Sequence, residues 1–269
     1  MKGCCPLSTR DAYGIPVERL NKIYEQLNLH GVVKVNELAT LFTVSKMTIR
    51  RDLAELDRRG LVVRSRGGAV LKEGLLADDN VGIRQIQNVE KKQAIAAEAA
   101  KHLVPGDTVA LDASTTVVEL AKQLGNIADL TVVTGNFLVA NVLLSSAVTM
   151  HFIGGRLRRE AFSTTGPMAE GNIAQFSFSK CFVSGNAVHL TEGLMDTNMD
   201  EIQIKRQILR NSERRYLLVD SSKLMHRALL KVWALSDFDY VITDNGITDE
   251  IHQQFDKIGV PLVIANGPL

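Results

Sequence analysis

The sequence predicts two domains: a small α+β winged helix-turn-helix domain, followed by an α/β domain with a largely parallel sheet. Three observations support this prediction. The first 72 residues are basic, whereas the rest of the chain is acidic. Two helical patterns joined by a tight turn precede a Gly-Gly hairpin. From residue 91 onwards, strand-like runs alternate with helical patterns, as in parallel sheets covered by helices.

Composition limits the classes to which the chain can belong. Its 269 residues suit one large domain or two ordinary ones, and a hydrophobic fraction of 45% excludes wholesale disorder. Three cysteines, two of them adjacent, give neither a disulfide framework nor metal-ligand spacing. No signal peptide or membrane-spanning run is recognisable. We expect a cytoplasmic protein with no metal and no cofactor, divided into an N-terminal tail at 1–15, a winged helix-turn-helix domain (the head) at 16–72, a linker at 73–90 and an α/β domain (the body) at 91–269.

Charge separates the head from the body. Residues 1–72 contain 13 Lys and Arg against 7 Asp and Glu, whereas residues 73–269 contain 18 against 23. A basic module of this size is typical of nucleic-acid-binding domains. A solvated helical surface can have the same charge, so the motifs must decide between the two interpretations.

Helical spacing and capping residues predict three helices in the head. The first opens at Pro16, the second is capped by Asn36, and the third runs from its cap Ser45 to about Arg59. A brief strand at Val32–Val35 separates the first helix from the second. The residues expected to face the core are Leu20, Ile23, Tyr24 and Leu27 in the first helix, Leu38, Ala39, Leu41 and Phe42 in the second, and Ile49, Leu53 and Leu56 in the third.

The third helix has the features of a recognition helix. Arginine near its N-terminus can bind guanine, threonine can contact a thymine methyl group, and the capped N-terminus suits a phosphate. The alternative is that Arg50 and Arg51 pair with Asp52, Glu55 or Asp57 on the helix surface. The residues of this helix expected to contact DNA are Ser45, Lys46, Thr48, Arg50 and Arg51.

A hairpin with a Gly-Gly turn follows the third helix. Its strands are Leu61–Arg64 and Ala69–Val70, joined by Ser65–Gly68. Arg64 and Arg66 lie near the tip, where the wing of a winged helix contacts backbone phosphate or the minor groove. An ordinary hairpin with solvated arginines is the alternative.

Four segments of the head carry a resemblance: Val35–Ala39, Phe42–Ser45, Thr48–Leu53 and Arg64–Ala69. Together they resemble the N-terminal signature of the DeoR family of bacterial transcriptional regulators. One departure is Arg66, because the family commonly has histidine before Gly-Gly-Ala. The resemblance implies that the head binds operator DNA.

Alternating patterns in the body predict a sheet covered by helices. A helix marked by Ile95, Ala99 and Leu103 precedes the first strand. Strands are expected at Thr108–Leu111, Leu130–Val133, Val148–Ile153, Lys180–Val183, Tyr216–Val219, Tyr240–Thr243 and Pro261–Ile264. Helices are expected at Val117–Leu124, Phe137–Leu144, Asp200–Asn211 and Thr248–Ile258.

Polar loops follow three of the predicted strands. Asp112–Thr116 and Thr134–Asn136 each enter a helix, and Gly154–Arg158 supplies glycines and arginines. Ligands of parallel sheets bind beyond the carboxyl ends of the strands, where hydroxyls, helix N-termini and arginines can hold an anion. Plain helix capping and ordinary turns are the alternatives. Neither Gly-Lys-Ser/Thr nor Gly-x-Gly-x-x-Gly is present, which argues against P-loop and dinucleotide sites.

The resemblance to the DeoR family extends through the body. Besides the three loops, Glu201–Arg206 and Asp220–Lys223 are similar to family motifs, whereas Ser179–Lys180 and Ser184–Val188 depart from them. The resemblance implies a sensor domain with a ribose-phosphate-isomerase-like fold that binds a phosphorylated sugar. The departures concern the sugar-facing side of its pocket.

Two helical charges have an alternative interpretation. Glu201 and Lys205 lie four residues apart, so they could form a surface ion pair instead of binding an effector. Lys223, beyond the strand that ends at Asp220, is better placed for the pocket. The residues expected to bind the effector are Asp112, Ser114, Thr115, Thr116, Thr134, Gly135, Asn136, Gly154, Gly155, Arg156, Glu201, Lys205 and Lys223.

The function expected is that of a sequence-specific transcriptional regulator and not an enzyme. It is expected to repress a carbohydrate-utilisation operon, under control of a phosphorylated sugar. Its partners would be double-stranded operator DNA, the effector and further copies of the chain, as dimer or tetramer. The alternative is a sugar-phosphate isomerase or deaminase with a DNA-binding head, because a carboxylate and a lysine can supply acid and base. A redox switch through Cys4 and Cys5 has little support, since only Lys2 and Arg10 make that segment basic.

Overall fold

The computed structural model describes residues 17–71 and 81–266, so the predicted tail lies outside the described residues. The chain divides into two compact units, with the division between Val89 and Glu90. Among the helices described, none is long and apolar enough to cross a membrane.

The N-terminal unit combines helices with a small antiparallel sheet. The strands lie in the order β1-β3-β2, so the hairpin is joined by a third strand from before the helix-turn-helix. Ser45 caps the third helix, as predicted. The described elements are α1 (Val17–His30), β1 (Val32–Lys34), α2 (Val35–Leu41), α3 (Lys46–Arg58), β2 (Val62–Ser65), β3 (Gly68–Leu71) and α4 (Val81–Ile86).

The core of this unit confirms the predicted inner faces of α1 and α3 but not all of α2. Leu41 is exposed, whereas Val35, Leu38 and Ala39 are buried. The helix begins at Val35, before the expected cap Asn36. Leu41 therefore falls off the inward stripe that these three residues form at helical spacing.

The predicted linker at 73–90 is partly structured. Residues 81–86 form α4, and Ile83 and Ile86 are fully buried in the same apolar cluster as Leu20 and Leu53. Burial of two isoleucines on one face stabilises a helix that is too short to form alone. Residues 72–80 lie outside the described part of the chain.

The C-terminal unit alternates strands and helices. Asn198 and Thr248 cap two of its helices with their side-chain oxygens. Its elements are α5 (Val89–Ala100), β4 (Thr108–Leu111), α6 (Thr115–Ala121), β5 (Thr131–Thr134), α7 (Phe137–Leu143), β6 (Thr149–Phe152), β7 (Arg156–Arg158), β8 (Ser163–Thr165), α8 (Pro167–Ile173), β9 (Phe178–Val183), β10 (Ala187–His189), β11 (Gly193–Asp196), α9 (Met199–Arg210), β12 (Ser212–Leu218), β13 (Leu230–Trp233), β14 (Tyr240–Asp244), α10 (Asp249–Ile258) and β15 (Leu262–Ala265).

A seven-stranded sheet organises this unit. Its strand order is β15-β14-β12-β9-β4-β5-β6, and every pairing is parallel. The seven strands are those that the sequence predicts. Adjacent side chains such as Leu217 and Leu218 enter different apolar clusters, so both faces of the sheet are covered.

Smaller elements lie beyond the ends of the main strands. The pair β7–β8 is a hairpin within the region expected to be a loop. A second antiparallel sheet has the order β10-β11-β13. Each of these five strands has only three or four residues, which is too short for a period-two pattern to predict it.

Candidate functional site

The start of α3 has the geometry of a capped recognition helix. The Oγ of Ser45 accepts a hydrogen bond from the backbone N–H of Thr48 at 3.1 Å and lies 2.8 Å from the Thr48 hydroxyl. Lys46, Arg50 and Arg51 are exposed, and Thr48 is half-buried. The predicted DNA-contacting side chains therefore share one end of the helix, although Ser45 also serves as its cap.

Two acidic residues of α3, Asp52 and Glu55, bind arginines other than Arg50. Nη2 of Arg19 lies 2.9 Å from the fully buried Asp52, and Nε of Arg59 lies 2.7 Å from Glu55. Burial alone would raise the pKa of Glu55, but hydrogen bonds from Arg58 and Arg59 lower it below its ordinary value. Neither Asp52 nor Glu55 is paired with Arg50, which leaves its exposed guanidinium for another partner.

The wing presents its two arginines to solvent. Arg64 and Arg66 are exposed at the end of the hairpin, where Gly67 has φ +90°. A Cβ on Gly68 would lie 2.0 Å from the carbonyl oxygen of Val33 in β1. The Gly-Gly pair therefore permits both the turn and the close approach of the third strand.

In the C-terminal unit, Asp112 lies at the sheet's carboxyl edge, one strand away from the central strand β9. It follows β4 and is 2% exposed. Its Oδ1 accepts a hydrogen bond from the N–H of Ser114 at 3.0 Å, and its Oδ2 accepts one from the N–H of Ser184 at 2.9 Å. The carboxylate thereby joins the loops after β4 and β9, as the convergence of strand ends predicts.

Lys205 is buried among carboxylates. Its Nζ donates to Oδ2 of Asp196 at 2.8 Å and lies 3.7 Å from Oδ2 of Asp112. Burial alone would lower the pKa of Lys205, but the carboxylates of Asp196, Asp112 and Glu201 raise it above its ordinary value. The lysine therefore carries its charge in the folded protein.

Glu201 has partners of its own. One carboxylate oxygen accepts a hydrogen bond from the Ser163 hydroxyl and lies 3.4 Å from Nη1 of Arg158. Glu201 and Lys205 are 5% and 6% exposed. The alternative of a surface pair between these two residues is therefore wrong, because both face the interior of the site.

Three predicted effector ligands hold the loops together. The Oγ of Ser114 accepts from Val117 N–H at 3.2 Å and caps α6. Thr134 Oγ1 donates to the carbonyl of Leu111 at 2.8 Å. Asn136 caps α7 through Oδ1, and its Nδ2 donates to the carbonyl of Asp112 at 3.2 Å. These groups support the site through the protein's own backbone.

Two of the predicted glycines are required by packing. A Cβ on Gly135 would lie 2.5 Å from Oγ1 of Thr164, and a Cβ on Gly155 would lie 2.8 Å from Cβ of Ala169. Gly154 has open space around it. The loops after β5 and β6 are therefore close-packed against the β7–β8 hairpin and α8.

Two predicted cations differ in their surroundings. Arg156 begins β7 and forms an ion pair with Asp200, with both side chains largely exposed. Lys223 lies beyond β12, and its Nζ donates to the carbonyl of Gly185 at 2.9 Å. Lys223 thus reaches the loop after β9, next to Ser184, whereas Arg156 is held on the outer side of the hairpin by its acidic partner.

Buried hydroxyls at this edge have no protein partner. Among the residues that the structure describes, no hydrogen bond reaches the hydroxyls of Thr116, Thr165 or Ser184. These three residues are at most 1% exposed. A buried hydroxyl without a partner costs about 1–3 kcal/mol, so such groups call for a ligand or an ordered water.

The site contains no cluster suited to a metal ion within the described ranges 17–71 and 81–266. Four members of the site are not among the residues that the sequence predicts: Asp196, Ser163, Thr165 and Ser184. Most of these residues belong to short strands or their ends. Only Ser184 had a signal, since it directly follows a predicted strand.

Comparison with known sequences identifies the family. A profile of the DeoR-like helix-turn-helix domain matches residues 19–74, and a profile of the DeoR C terminal sensor domain matches residues 87–245. The chain belongs to the DeoR family. The predicted family and fold class are thus confirmed.

Several proteins that are named as transcriptional regulators align with this DeoR-family chain over most of its length. The HTH-type transcriptional regulator YulB of Bacillus subtilis is 37% identical, covering 86% of this chain and 89% of YulB. The HTH-type transcriptional regulator GolR of Listeria innocua is 33% identical, covering 93% and 99%. The transcriptional repressor AccR of Agrobacterium fabrum is 31% identical, covering 93% and 97%.

Among solved structures, a D-ribose-5-phosphate isomerase bound to phospho-erythronic acid resembles part of the chain. It is 16% identical, covers 49% of this chain and 52% of its own, and has a TM-score of 0.38. Similarity at this level adds no argument about the function of the DeoR-family chain.

The departure from the DeoR pattern at Ser179–Lys180 does not lie at the candidate site. Both residues are near the start of β9, because that strand begins at Phe178. Nζ of Lys180 lies 2.6 Å from Oδ2 of Asp107, and the Ser179 hydroxyl donates to the same carboxylate. The interpretation that these residues border the sugar is therefore wrong, since they occupy the amino edge of the sheet.

Proposed function

We propose that this DeoR-family regulator represses a carbohydrate-utilisation operon and that a phosphorylated sugar bound at the carboxyl edge of the sheet controls its affinity for the operator. The head contacts DNA through Arg50 and Arg51 on α3 and through Arg64 and Arg66 on the wing. The repressor acts as an oligomer, since symmetric operators require at least two heads.

The observation that supports the effector most directly is the set of unpartnered buried hydroxyls. The N–H of Ser184, directly after β9, donates to Asp112, and Thr116 lies in the first turn of α6, which follows the Asp112 loop. The first N–H groups of a helix have no acceptor within it. Hydroxyl and N–H donors of this kind match the oxygens of a phosphate, and Lys223 offsets its charge.

An isomerase or deaminase is the second candidate, because Asp112 and Lys205 are an acid–base pair at this edge. A base must give up its proton at working pH. The carboxylates around Lys205 raise its pKa instead, and the ammonium is held in an ion pair. Lys205 is therefore not a base. We propose that the protein is not an enzyme, because the relatives that match most of its length are named as transcriptional regulators.

A thermal-shift screen of phosphorylated sugars on the full chain tests the effector assignment. A compound at 100 times its Kd should stabilise the protein by about 2.7 kcal/mol. The unphosphorylated sugar is the matched control and should give no shift. Overnight incubation with the bound compound should yield no product. Turnover on the order of 1 per second or faster would support the enzyme instead.

Coupling between effector and DNA separates a regulator from a passive carrier. The effector should change operator affinity by five- to 150-fold, the usual range for allosteric coupling of ~1–3 kcal/mol. Operator DNA must change effector affinity by the same factor, because the linkage is reciprocal. Titration of each ligand in the presence and absence of the other measures both factors, and independence of the two would contradict the proposal.

A further inference from the structure

The outer strand β6 is an unprotected edge of the parallel sheet. Among the residues that the structure describes, it pairs only with β5, and Thr149, His151 and Phe152 are exposed. Strands of parallel sheets are ordinarily buried. Proteins usually blunt edge strands with lysine, proline or a bulge, and β6 has none of these within Thr149–Phe152.

The free hydrogen-bonding groups of β6 follow from its register. The N–H groups of Thr149 and Ile153 donate to Leu130 and Thr134 on the β5 side. In a parallel ladder alternate residues face the same neighbour, so the N–H and C=O groups of Met150 and Phe152 point outward. An antiparallel copy of β6 centred on His151 would place Met150 opposite Phe152 of that copy, with all four groups paired.

An aromatic surface adjoins this edge. Of the nine phenylalanines in the chain, Phe137, Phe152 and Phe162 are the exposed ones. The rings of Phe137 and Phe152 are 4.7 Å apart, and the N–H of Phe137 donates to the carbonyl of Phe162 at 2.8 Å. Phe162 has φ +50°, a backbone angle that bulky residues rarely adopt. The surrounding structure therefore stabilises a strained backbone that leaves this ring exposed.

A cation and an anion lie side by side next to this surface, so the same surface on a second copy is complementary in charge. Arg159 and Glu160 precede Phe162 in the turn between β7 and β8, and both are exposed. No ion pair with either residue is found within the described part of the chain. A two-fold axis brings the cation of one copy towards the anion of the other, which is the pattern of an isologous contact.

We propose that β6 and the surface formed by Phe137, Phe152 and Phe162 join two copies of this chain about a two-fold axis. An edge strand pairs best with a strand of the same length and hydrogen-bonding pattern, and its own copy meets that condition. Aromatic side chains are the usual anchors of such interfaces. The inference rests on the proposed function in one respect only: a symmetric operator requires two heads.

Sedimentation equilibrium of the full chain tests the interface. The wild type should dimerise, and Phe152→Asp should weaken the dimer by about 30-fold or more, as expected for a central aromatic anchor. Leu229→Asp is the matched control, because Leu229 is 78% exposed and lies elsewhere in the C-terminal unit. It should leave the dimer constant unchanged.

Charge reversal provides a test that does not disturb the fold. Arg159→Glu and Glu160→Arg should each weaken the dimer about tenfold, and the double reversal should restore it, with both effects shrinking in 0.5 M salt. A monomeric wild type, or a dimer that resists Phe152→Asp and both reversals, would overturn the inference. Effector binding by such a protein would leave the effector assignment intact, whereas a dimer of the expected kind that binds no sugar phosphate would overturn only the effector assignment.

Discussion

Nζ of Lys205 lies 3.7 Å from Oδ2 of Asp112, although one residue is on α9 and the other follows β4. Oδ2 of Asp196, at the end of β11, accepts a hydrogen bond from the same ammonium at 2.8 Å. One cation thus compensates two buried carboxylates. Because each carboxylate also orients a loop, this contact fixes the position of α9 relative to the carboxyl edge of the sheet.

Replacing Lys205 by Met should therefore destabilise the C-terminal unit strongly. The change leaves two buried carboxylates without their cation, which costs about 3–5 kcal/mol. Urea unfolding followed by circular dichroism measures the loss. Lys101→Met is the control, since its exposed pair with Glu98 should contribute less than about 1 kcal/mol. Equal losses in the two variants would show that the buried network is not stabilising.

Removing arginines from α3 and from the wing should affect DNA binding differently. Arg50→Ala should cost about 1–3 kcal/mol of specific affinity and relax base preference, whereas Arg64→Ala or Arg66→Ala should weaken all sequences alike and reduce the salt dependence. Fluorescence anisotropy with operator and unrelated DNA measures both. The control Arg214→Ala removes an exposed arginine paired with Asp239 in the C-terminal unit. If Arg50→Ala binds the operator like the wild type, α3 does not read bases through this residue.

The double change Thr115→Val and Thr116→Val should abolish the effector response. Both residues are buried at the start of α6, so valine keeps their shape and removes the hydroxyls. Calorimetry with the sugar phosphate should lose its binding heat, while operator affinity without effector stays unchanged. Thr108→Val, at the opposite end of β4, is the control. Equal effector affinity in wild type and double variant would remove this loop from the site.

Two glycines near α8 should respond to alanine with opposite signs. Gly155→Ala forces its Cβ to within 2.9 Å of the Thr165 carbonyl oxygen, and overpacking of this kind costs about 1–3 kcal/mol. Gly171→Ala, in α8 with open space around it, should gain about 0.5–1 kcal/mol from helix propensity. Thermal unfolding of the two variants measures the difference. A stable Gly155→Ala protein that loses effector affinity would instead place this glycine against the ligand.

The sequence predicts the sheet well because its strands are apolar runs between polar loops. All seven expected strands occur, and the loop residue Asp112 lies where convergence of strand ends places it. The predicted ligands Asn136 and Gly155 show the limit of such reasoning. A residue type that suits a ligand also suits a helix cap or a close contact, and only coordinates distinguish these uses.

Residue patterns do not predict which side chains pair when they are far apart in the sequence. Asp52 and Arg19 belong to different helices, and Asp196 meets Lys205 only after β11 and α9 have packed. Residue patterns predict a loop where the hairpin β7–β8 lies, because each of its strands has only three residues. Contacts of this kind depend on tertiary geometry and leave no periodic trace in the sequence.

The amide of Asn136 has a mechanical consequence. Its oxygen accepts from the N–H groups of Leu138 and Val139, and its nitrogen donates to the Asp112 carbonyl in the neighbouring loop. One side chain therefore ties the loops after β4 and β5 into a single rigid body. Because these loops are already ordered, the free energy that a ligand loses in ordering backbone on binding is small. A displacement of either loop should also displace the other.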